Sequence, residues 1–289
     1  MYDPYPSPLR YPGGKTLLTQ FLAETIRLNN LVGGTYVEPY AGGAGAALSL
    51  VFSEQVSRIF INDKDPGIFW FWKSVLEHTD EFTGLIDRSR VTVDAWKYHK
   101  SVLRHPSGHS GLHIGFATFF LNRCNRSGVL NGGPIGGLRQ NGNYAIDVRF
   151  NRRQLIRKVQ KIGLYRERIT VSNLDGVTFL RRFAARETND VRRCLVYMDP
   201  PYFGKACRLY TFYFKDADHE RLAAYLKERP GYRWIVSYDD SAAIRKLFPG
   251  RKIVLLKSYS VHSARTGREL VIASPGCHLP RSYFASVAH

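Results

Sequence analysis

The sequence is short of cysteines, of acidic residues and of long apolar runs, and each shortage excludes a class of protein. Its four cysteines are scattered over 289 residues without a C-x-x-C pair, so neither a zinc site nor a disulfide framework is expected. No apolar stretch approaches the ~18 residues that span a bilayer, and the first residues lack the pattern of a signal peptide. We therefore expect a soluble, cytoplasmic protein in a reducing compartment.

The shortage of acids gives the chain an unusual charge. There are 42 Lys and Arg against 24 Asp and Glu, a net charge of +18, which favours a polyanionic partner. The excess is concentrated between Arg88 and Arg168, where 16 basic and three acidic residues leave +13. Aromatic and aliphatic residues are interleaved with these charges. This composition predicts a folded segment that binds nucleic acid, in preference to a disordered basic tail.

The order of strand and helix patterns predicts an α/β fold with an insertion. Apolar strands alternate with amphipathic helices over residues 1–78 and again over 165–289. Between them, residues 79–164 lose this alternation and are mainly helical. We therefore predict one α/β domain, interrupted by a second domain that carries most of the basic charge.

A glycine loop and an acid 18 residues beyond it are typical of a nucleotide site. The strand ending at Glu38 runs into Gly42-Gly43-Ala44-Gly45 and then a helix of small residues. Asp63 ends the next strand, where it can accept both hydroxyls of an adenosine ribose. A helix cap is the alternative for such an aspartate, although Asp65 is also placed to cap the helix that follows.

Two further helix starts are candidate ligand contacts. Gly13-Gly14 and Lys15 open the first helix, and backbone N–H groups with a nearby cation suit an anion or a carboxylate. Asp175 begins a later helix and can bond an adenine edge. The alternatives are an ordinary helix N-terminus and a plain N-cap.

The strongest local signal is Asp199-Pro200-Pro201-Tyr202, which follows the apolar strand Cys194–Met198. The two prolines must leave the sheet, because neither has a backbone donor. An acid, rigid carbonyl acceptors and an aromatic ring then meet at the edge where α/β sheets bind ligands. Carboxylate and carbonyl oxygens can hold the amine of a planar ring on which Tyr202 stacks. The alternative is a turn in which Asp199 caps and Tyr202 packs.

The basic segment contains a long loop rich in glycine and asparagine. Arginine, asparagine and glutamine are the side chains that read guanine and adenine edges, and a loop of this length is usually functional or mobile. We predict contacts with bases from Asn122, Arg123, Arg126 and Arg139. A flexible surface loop is the alternative.

Two other basic groups are predicted to contact phosphates without reading sequence. The helix Asn151–Lys161 presents Arg152 and Arg157, and a loop between the last two strands presents Arg265 and Arg268.

Together these motifs resemble the Dam-like, site-specific DNA adenine-N6 methyltransferases of the alpha motif order, over almost the whole chain. The matching pieces are RYPGGK (10–15), EPYAGGAG (38–45), INDKDP (61–66), the NR-x-x-RSG loop (122–128), MDPPYF (198–203), SYDD (237–240) and GRELVIA (267–273). The resemblance implies a Rossmann-like sheet that uses S-adenosylmethionine, with residues 79–164 as an inserted target-recognition domain. It implies methyl transfer to the N6 amine of adenine in double-stranded DNA after base flipping.

The resemblance also implies residue roles. Asp199, Pro200, Pro201 and Tyr202 would form the catalytic site, with Asp199 between cofactor and target amine and Tyr202 stacked on the flipped base. Cofactor contacts are expected from Tyr11, Lys15, Glu38, Gly42, Gly45, Asp63, Asp175 and Asp199. No metal is expected.

The chain departs from the GATC methylases at Asn131–Gly137, which is rich in glycine and lacks their hairpin sequence. Recognition of GATC is therefore not predicted. The residues alone leave open methylation of adenine in structured RNA, methylation of cytosine N4, and an inactive DNA-binding relative. We expect catalysis by a monomer, and the sequence leaves open a partner restriction nuclease or defence system.

Overall fold

A computed structural model describes residues 5–10, 15–186, 190–201, 214–228, 230–250, 253–257 and 268–284. Within these ranges the side chains of 15–17, 253–257 and 268–269 are not described. Three predicted site residues, Tyr11, Tyr202 and Arg265, lie outside the described residues. Lys15 and Arg268 are described only as backbone positions.

The described strands form one mixed, mostly parallel sheet. In chain order they are β1 (Gly34–Glu38), β2 (Val56–Asn62), β3 (Ile169–Ser172), β4 (Cys194–Met198), β5 (Arg233–Asp239), β6 (Ile253–Lys257) and β7 (Arg268–Ala273). Their order across the sheet is β3-β2-β1-β4-β5-β7-β6, and β7 is antiparallel to both neighbours. The order reverses between β1 and β4, which creates a switch point at their carboxyl ends. The predicted Rossmann-like α/β fold is confirmed.

Helices cover both faces of this sheet. They are α1 (Lys15–Leu28), α2 (Gly45–Phe52), α3 (Pro66–Glu77), α4 (Thr79–Arg88), α5 (Val93–Arg104), α6 (Gly111–Cys124), α7 (Arg152–Leu164), α8 (Gly176–Ala184), α9 (Asp216–Lys227) and α10 (Ala242–Leu247). Residues 79–164 were predicted to be mainly helical, and α4 begins this segment as a short helix whose apolar positions include Phe82 and Ile86. None of the helices in the described ranges is long and apolar enough to cross a membrane.

Alternate strand residues feed two separate hydrophobic cores, as a sheet buried on both faces requires. Tyr36 and Tyr197 point into the core under α1–α7, which we call the first face. Val37 and Val196 point into the core under α8–α10, the second face. Because side chains alternate between the two faces, each residue at the carboxyl end of a strand faces one defined side of the sheet.

The predicted inserted segment, residues 79–164, does not have a hydrophobic core of its own. Phe82 of α4 and Phe119 of α6 contact Phe71 of α3 with ring centroids 5.7 and 6.1 Å apart. All three rings belong to the first-face core that also contains sheet residues. The helices of this segment thus pack against α3 and share its core, and the role of the segment in target recognition stays a prediction.

Candidate active site

The carboxyl ends of β1 and β4 bring two predicted site residues together. The strands pair in parallel, with Tyr36 opposite Leu195 and Val37 opposite Val196. Glu38 ends β1 and Asp199 follows β4, so both carboxylates lie at the switch point. Glu38 is buried and accepts a hydrogen bond of 2.8 Å from the Tyr36 hydroxyl. Burial, Glu38 and Asp199 together raise the pKa of Tyr36, so the two carboxylates share one electrostatic environment.

The glycine loop after β1 is held from two sides. Gly42 has φ +47°, a conformation that glycine adopts without steric strain. Its N–H donates to Asp63 Oδ2 at 2.9 Å, and its carbonyl accepts from Trp72 Nε1 at 2.9 Å. The glycine loop and Asp63, both predicted as cofactor contacts, are therefore adjacent. Trp72 is a buried core residue of α3, and its indole N–H also fixes the loop.

The sequence left open whether Asp63 accepts ribose hydroxyls or caps α3, and the structure gives the cap to Asp65. Asp65 caps α3, because its side chain accepts from the Gly67 N–H at 2.8 Å. Asp63 is free of that task and accepts from Gly42 and from the Asp65 N–H, the latter at 2.9 Å. Burial raises the pKa of Asp63 to about 7, against the two backbone bonds and with the help of the Asp65 charge.

Asn62 joins three strand ends beside this acid, a role the sequence analysis missed. Its Nδ2 donates to the carbonyls of Pro39 and Leu174 at 3.0 and 2.9 Å. Its Oδ1 accepts from the Leu174 N–H at 2.9 Å. A buried amide that satisfies three backbone groups fixes the loops after β1, β2 and β3 relative to one another. An asparagine that ends an otherwise apolar strand is the only signal of this role in the sequence.

Asp175 is the N-cap of α8, as one of its two predictions stated. It accepts from the Thr178 N–H at 3.2 Å and pairs with the Arg221 guanidinium at 2.5 Å. Burial opposes its ionisation, but the Thr178 bond and Arg221 outweigh burial and lower its pKa. These contacts leave its cofactor role a prediction.

Tyr40, just after β1, presents a buried hydroxyl at the same edge. Its ring meets the Phe214 ring edge-on at 5.3 Å and fills the space above Gly176. The hydroxyl has no hydrogen-bond partner among the described residues. Burial raises its pKa well above 10, so it stays a neutral donor. A polar ligand that reached this hydroxyl would satisfy a group that the described residues leave unpaired.

Asp199 is partly exposed at the tip of β4, and Pro200 behind it is buried. Ser237, from the neighbouring strand β5, donates to Asp199 Oδ1 at 3.4 Å. The Tyr197 hydroxyl lies 2.8 Å from Ser237 Oγ. Neither hydroxyl was predicted as part of the site. Ser237 lies within a matched motif and Tyr197 directly precedes one, but only the strand register shows that they meet.

Asn122 has a structural position instead of the predicted contact with DNA. It is 1% exposed, and its Oδ1 accepts from the Arg10 N–H at 2.6 Å. Its two amide hydrogens go to the carbonyls of Arg10 and Gly128, each at 2.9 Å. A buried amide with every group in use has nothing left for a base. Asn122 attaches the first residue of the RYPGGK motif to α6.

Arg123 is also engaged within the protein. Its Nε donates to the Arg149 carbonyl at 2.7 Å, and its Nη1 lies 3.5 Å from the Pro8 carbonyl. Burial and the nearby charge of Arg10 lower its pKa to about 10, so it remains a cation at neutral pH. The predicted contact with bases would require Arg123 to give up these carbonyls.

The other predicted DNA contacts are exposed. Arg126, Arg139, Arg152 and Arg157 all lie on the surface. The Arg152 guanidinium donates to the Ser89 carbonyl, which attaches the start of α7 to the end of α4. Their exposure is compatible with phosphate contacts, and these roles stay predictions.

Comparison with solved structures finds distant likenesses over most of the chain. The rRNA methyltransferase aviRa from Streptomyces viridochromogenes is 11% identical, with 91% of this chain and 86% of that one covered and a TM-score of 0.36. TrmN from Thermus thermophilus is 12% identical, with 90% and 52% covered and a TM-score of 0.38. A conserved hypothetical protein from Streptococcus pyogenes is 13% identical, with 88% and 97% covered and a TM-score of 0.32. Scores of this size carry no argument about substrate.

Comparison by sequence is more specific than comparison of structures for this chain. No sequence among the curated proteins matches the chain. The model of one family, the D12 class N6 adenine-specific DNA methyltransferases, matches residues 11–100 and 135–262, which is most of the chain. The two matched stretches include β1, β2 and β4 with their strand-end acids, the site described above. The chain belongs to the D12 class N6 adenine-specific DNA methyltransferase family.

Proposed function

We propose that this protein transfers a methyl group from S-adenosylmethionine to the N6 amine of adenine in double-stranded DNA. Membership of the family makes it a methyltransferase. The observation that carries the finer proposal is the meeting of Glu38, Gly42, Asp63 and Asp199 at adjacent strand ends. A cofactor and a target amine can both be held there.

The groups at this edge fit the chemistry of S-adenosylmethionine. Glu38 and Asp199 are carboxylates that suit the cationic methionine end, and the glycine loop lets a ligand approach its backbone closely. Asp63 has a carboxylate with acceptor capacity left for the ribose hydroxyls. The Tyr40 hydroxyl, without a partner among the described residues, is a further group that a bound ligand can satisfy. When bound, S-adenosylmethionine supplies an activated methyl group on a cationic sulfur.

The chain's own part in the reaction is to hold and polarise the amine. The Asp199 carboxylate and the Pro200 carbonyl accept the two N6 hydrogens, which turns the nitrogen lone pair out of the ring system. Catalysis then rests on positioning and on fixed dipoles, with no covalent intermediate on the enzyme. N6 sheds a proton after it has taken the methyl group, so no strong base is needed beforehand.

Access to this edge requires the adenine to leave the duplex, at a cost of a few kcal/mol. The basic segment offers the compensating contacts. The exposed Arg152 and Arg157 on α7 suit phosphates, and Arg126 and Arg139 suit base edges. We assign target recognition to residues 79–164 on this basis. A single copy of the chain contains all of these site and DNA-contact residues.

The experiment is methyl transfer from tritiated S-adenosylmethionine to duplex DNA and to structured RNA, followed by separation of the nucleosides. We expect label in N6-methyladenine from DNA, and the flanking bases then follow from methylation-aware sequencing of a genome exposed to the protein. Label in RNA, or in N4-methylcytosine, would replace the DNA-adenine assignment. Calorimetry that shows no binding of S-adenosylmethionine would identify an inactive DNA-binding relative.

A further inference from the structure

A short row of hydroxyls leads to Asp199 along the first face of the sheet. Tyr197 lies opposite Ile235 and Met198 opposite Val236 in the β4–β5 ladder, so Asp199 comes level with Ser237. Residues two apart on a strand share a face. Tyr197 and Asp199 therefore face the same side of the sheet as Ser237. Tyr197 and Ser237 are each 5% exposed.

The hydrogens of this row have one consistent direction. Ser237 has a single hydroxyl hydrogen, and the carboxylate Oδ1 of Asp199, 3.4 Å away, can only accept it. The Tyr197 hydroxyl, 2.8 Å from Ser237 Oγ, must then be the donor in that pair. The row is a donor chain that ends on the carboxylate, in a buried setting that strengthens linked hydrogen bonds.

The prolines explain why Asp199 needs such a donor. An aspartate in a turn is commonly held by a backbone N–H one or two residues later. Here those two positions are Pro200 and Pro201, which have no N–H. The sequence that frees rigid carbonyls for the substrate thus removes the local donors that would orient the acid. A donor from the neighbouring strand replaces them.

We propose that Ser237, supported by Tyr197, is a positioning residue that orients the Asp199 carboxylate toward the target amine. This inference rests on the proposed function, because it assigns a role within the same site. The 3.4 Å distance is long, as is common for catalytic hydrogen bonds before the substrate complex forms, and it should shorten there.

The test compares Ser237→Ala with Ser274→Ala in the full-length protein. Ser274 is also a buried serine whose Oγ accepts from the Trp234 N–H at 3.1 Å, at the other end of β5. We expect Ser237→Ala to lower kcat about tenfold, the order expected for one hydrogen bond to a charged group. Both KM values and the calorimetric affinity for S-adenosylmethionine should stay within about twofold. Ser274→Ala should leave kcat unchanged.

Two conservative variants separate orientation from folding. Ser237→Thr keeps the hydroxyl on a residue that strands accept, and should restore most of kcat. Tyr197→Phe keeps the ring and removes the second donor, so kcat should fall about threefold. In an Asp199→Ala background, Ser237→Ala should cause no further loss, because residues that act through one group are not additive.

Three outcomes would overturn the inference. The first is wild-type kcat in Ser237→Ala while the wild-type protein methylates adenine. The second is a rise in both KM values with a lowered Tm and no rescue by Ser237→Thr, since that pattern is purely structural. The third is a wild-type protein that binds S-adenosylmethionine but methylates no nucleic acid, which refutes the proposed function first and the inference with it.

Discussion

The carboxyl edge of the sheet and the basic segment differ in how deeply their polar side chains are buried. At the edge, Glu38 and Ser237 are at most 6% exposed. The pleat of β1 places Glu38 beside Tyr36, and the register of β4 and β5 places Ser237 beside Asp199. In the basic segment, Arg126, Arg139 and Arg157 are exposed. The first region is built to hold a few groups in fixed geometry, and the second to present charge.

This difference in burial predicts what kind of effect a substitution should have in each region. A buried, hydrogen-bonded group acts through geometry, so its removal should be severe and insensitive to salt. Exposed cations act through the field they create, so each should contribute modestly and be screened. The four changes below test this contrast, from the largest expected effect to the smallest.

Asp199→Ala should nearly abolish methyl transfer. In the proposed mechanism this carboxylate holds the target amine, and removal of such a transition-state interaction lowers kcat by about 10³-fold. The side chain is only partly buried, so the protein should remain folded. The measurement is single-turnover methyl transfer with a circular dichroism check of the fold. Asp190→Ala is the control, since Asp190 caps a short turn before β4, at the opposite end of that strand. A folded Asp199→Ala protein with wild-type kcat would refute the chemistry.

Asp63 should make cofactor binding depend on pH. Burial raises its folded pKa to about 7 from 3.8, so the stability it contributes is present below the lower value and is lost as pH rises toward 7. Acceptance of two ribose hydroxyls requires the ionised form. We therefore expect the Kd for S-adenosylmethionine to fall about tenfold between about pH 6 and about pH 8.

Asp63→Asn should bind about tenfold more weakly at the higher pH and lose this slope. Calorimetric titration at several pH values measures both effects. Asp65→Ala is the matched comparison: it removes the α3 cap and costs about 1 kcal/mol of unfolding free energy. It should keep the pH dependence but move it to lower pH, because the Asp65 charge helps to raise the pKa of Asp63. An unchanged slope in Asp63→Asn would remove Asp63 from the cofactor site.

Asn122→Ala tests the one predicted DNA contact that proved to be a fully buried amide. It leaves the Arg10 N–H and two carbonyls without their partner, which costs about 1–3 kcal/mol of unfolding free energy. Arg126→Ala, a neighbour on the surface, should change stability by less than about 0.5 kcal/mol. Urea unfolding of both variants gives the comparison. Equal stabilities would mean that Asn122 is not the support described here.

Charge reversal on α7 should have the smallest and most salt-dependent effect. Arg157→Glu should weaken DNA binding several-fold at low salt, alike for all sequences, and reduce the salt slope by about one for each phosphate that is no longer neutralised. Arg152→Glu should do the same, with a small decrease in stability because its bond to Ser89 is removed. Arg192→Glu is the control, because Arg192 is exposed just before β4, away from the carboxyl edge. An unchanged slope for Arg157→Glu would exclude α7 from the interface.

The sequence predicted most of the elements and several of the site's acids. The hydrophobic periodicity predicted the alternation of strands and helices on both sides of the insertion and the mainly helical character of residues 79–164, and the structure has both. Gly42 and Asp63 were both predicted to contact the cofactor, and the hydrogen bond between them places the two side by side, while their cofactor contacts stay predictions. The roles of Asn62, Trp72 and Ser237 were missed, because each acts on a group far away in the chain. Asn122 was assigned to DNA because a buried asparagine and an exposed one look alike in a sequence.

What the sequence by itself determined is the chemistry available: acids and carbonyls at strand ends, a glycine loop, and an excess of positive charge in one segment. These features depend only on residue types and on short spacings along the chain. What only the tertiary structure decided is which polar groups are used up internally and which are left for a ligand. Asn122 and Tyr40 show the difference, since the first has every hydrogen bond satisfied and the hydroxyl of the second has no partner in the described part of the chain. Burial and hydrogen-bond partners come from the packing of distant segments against one another, and no local pattern encodes them.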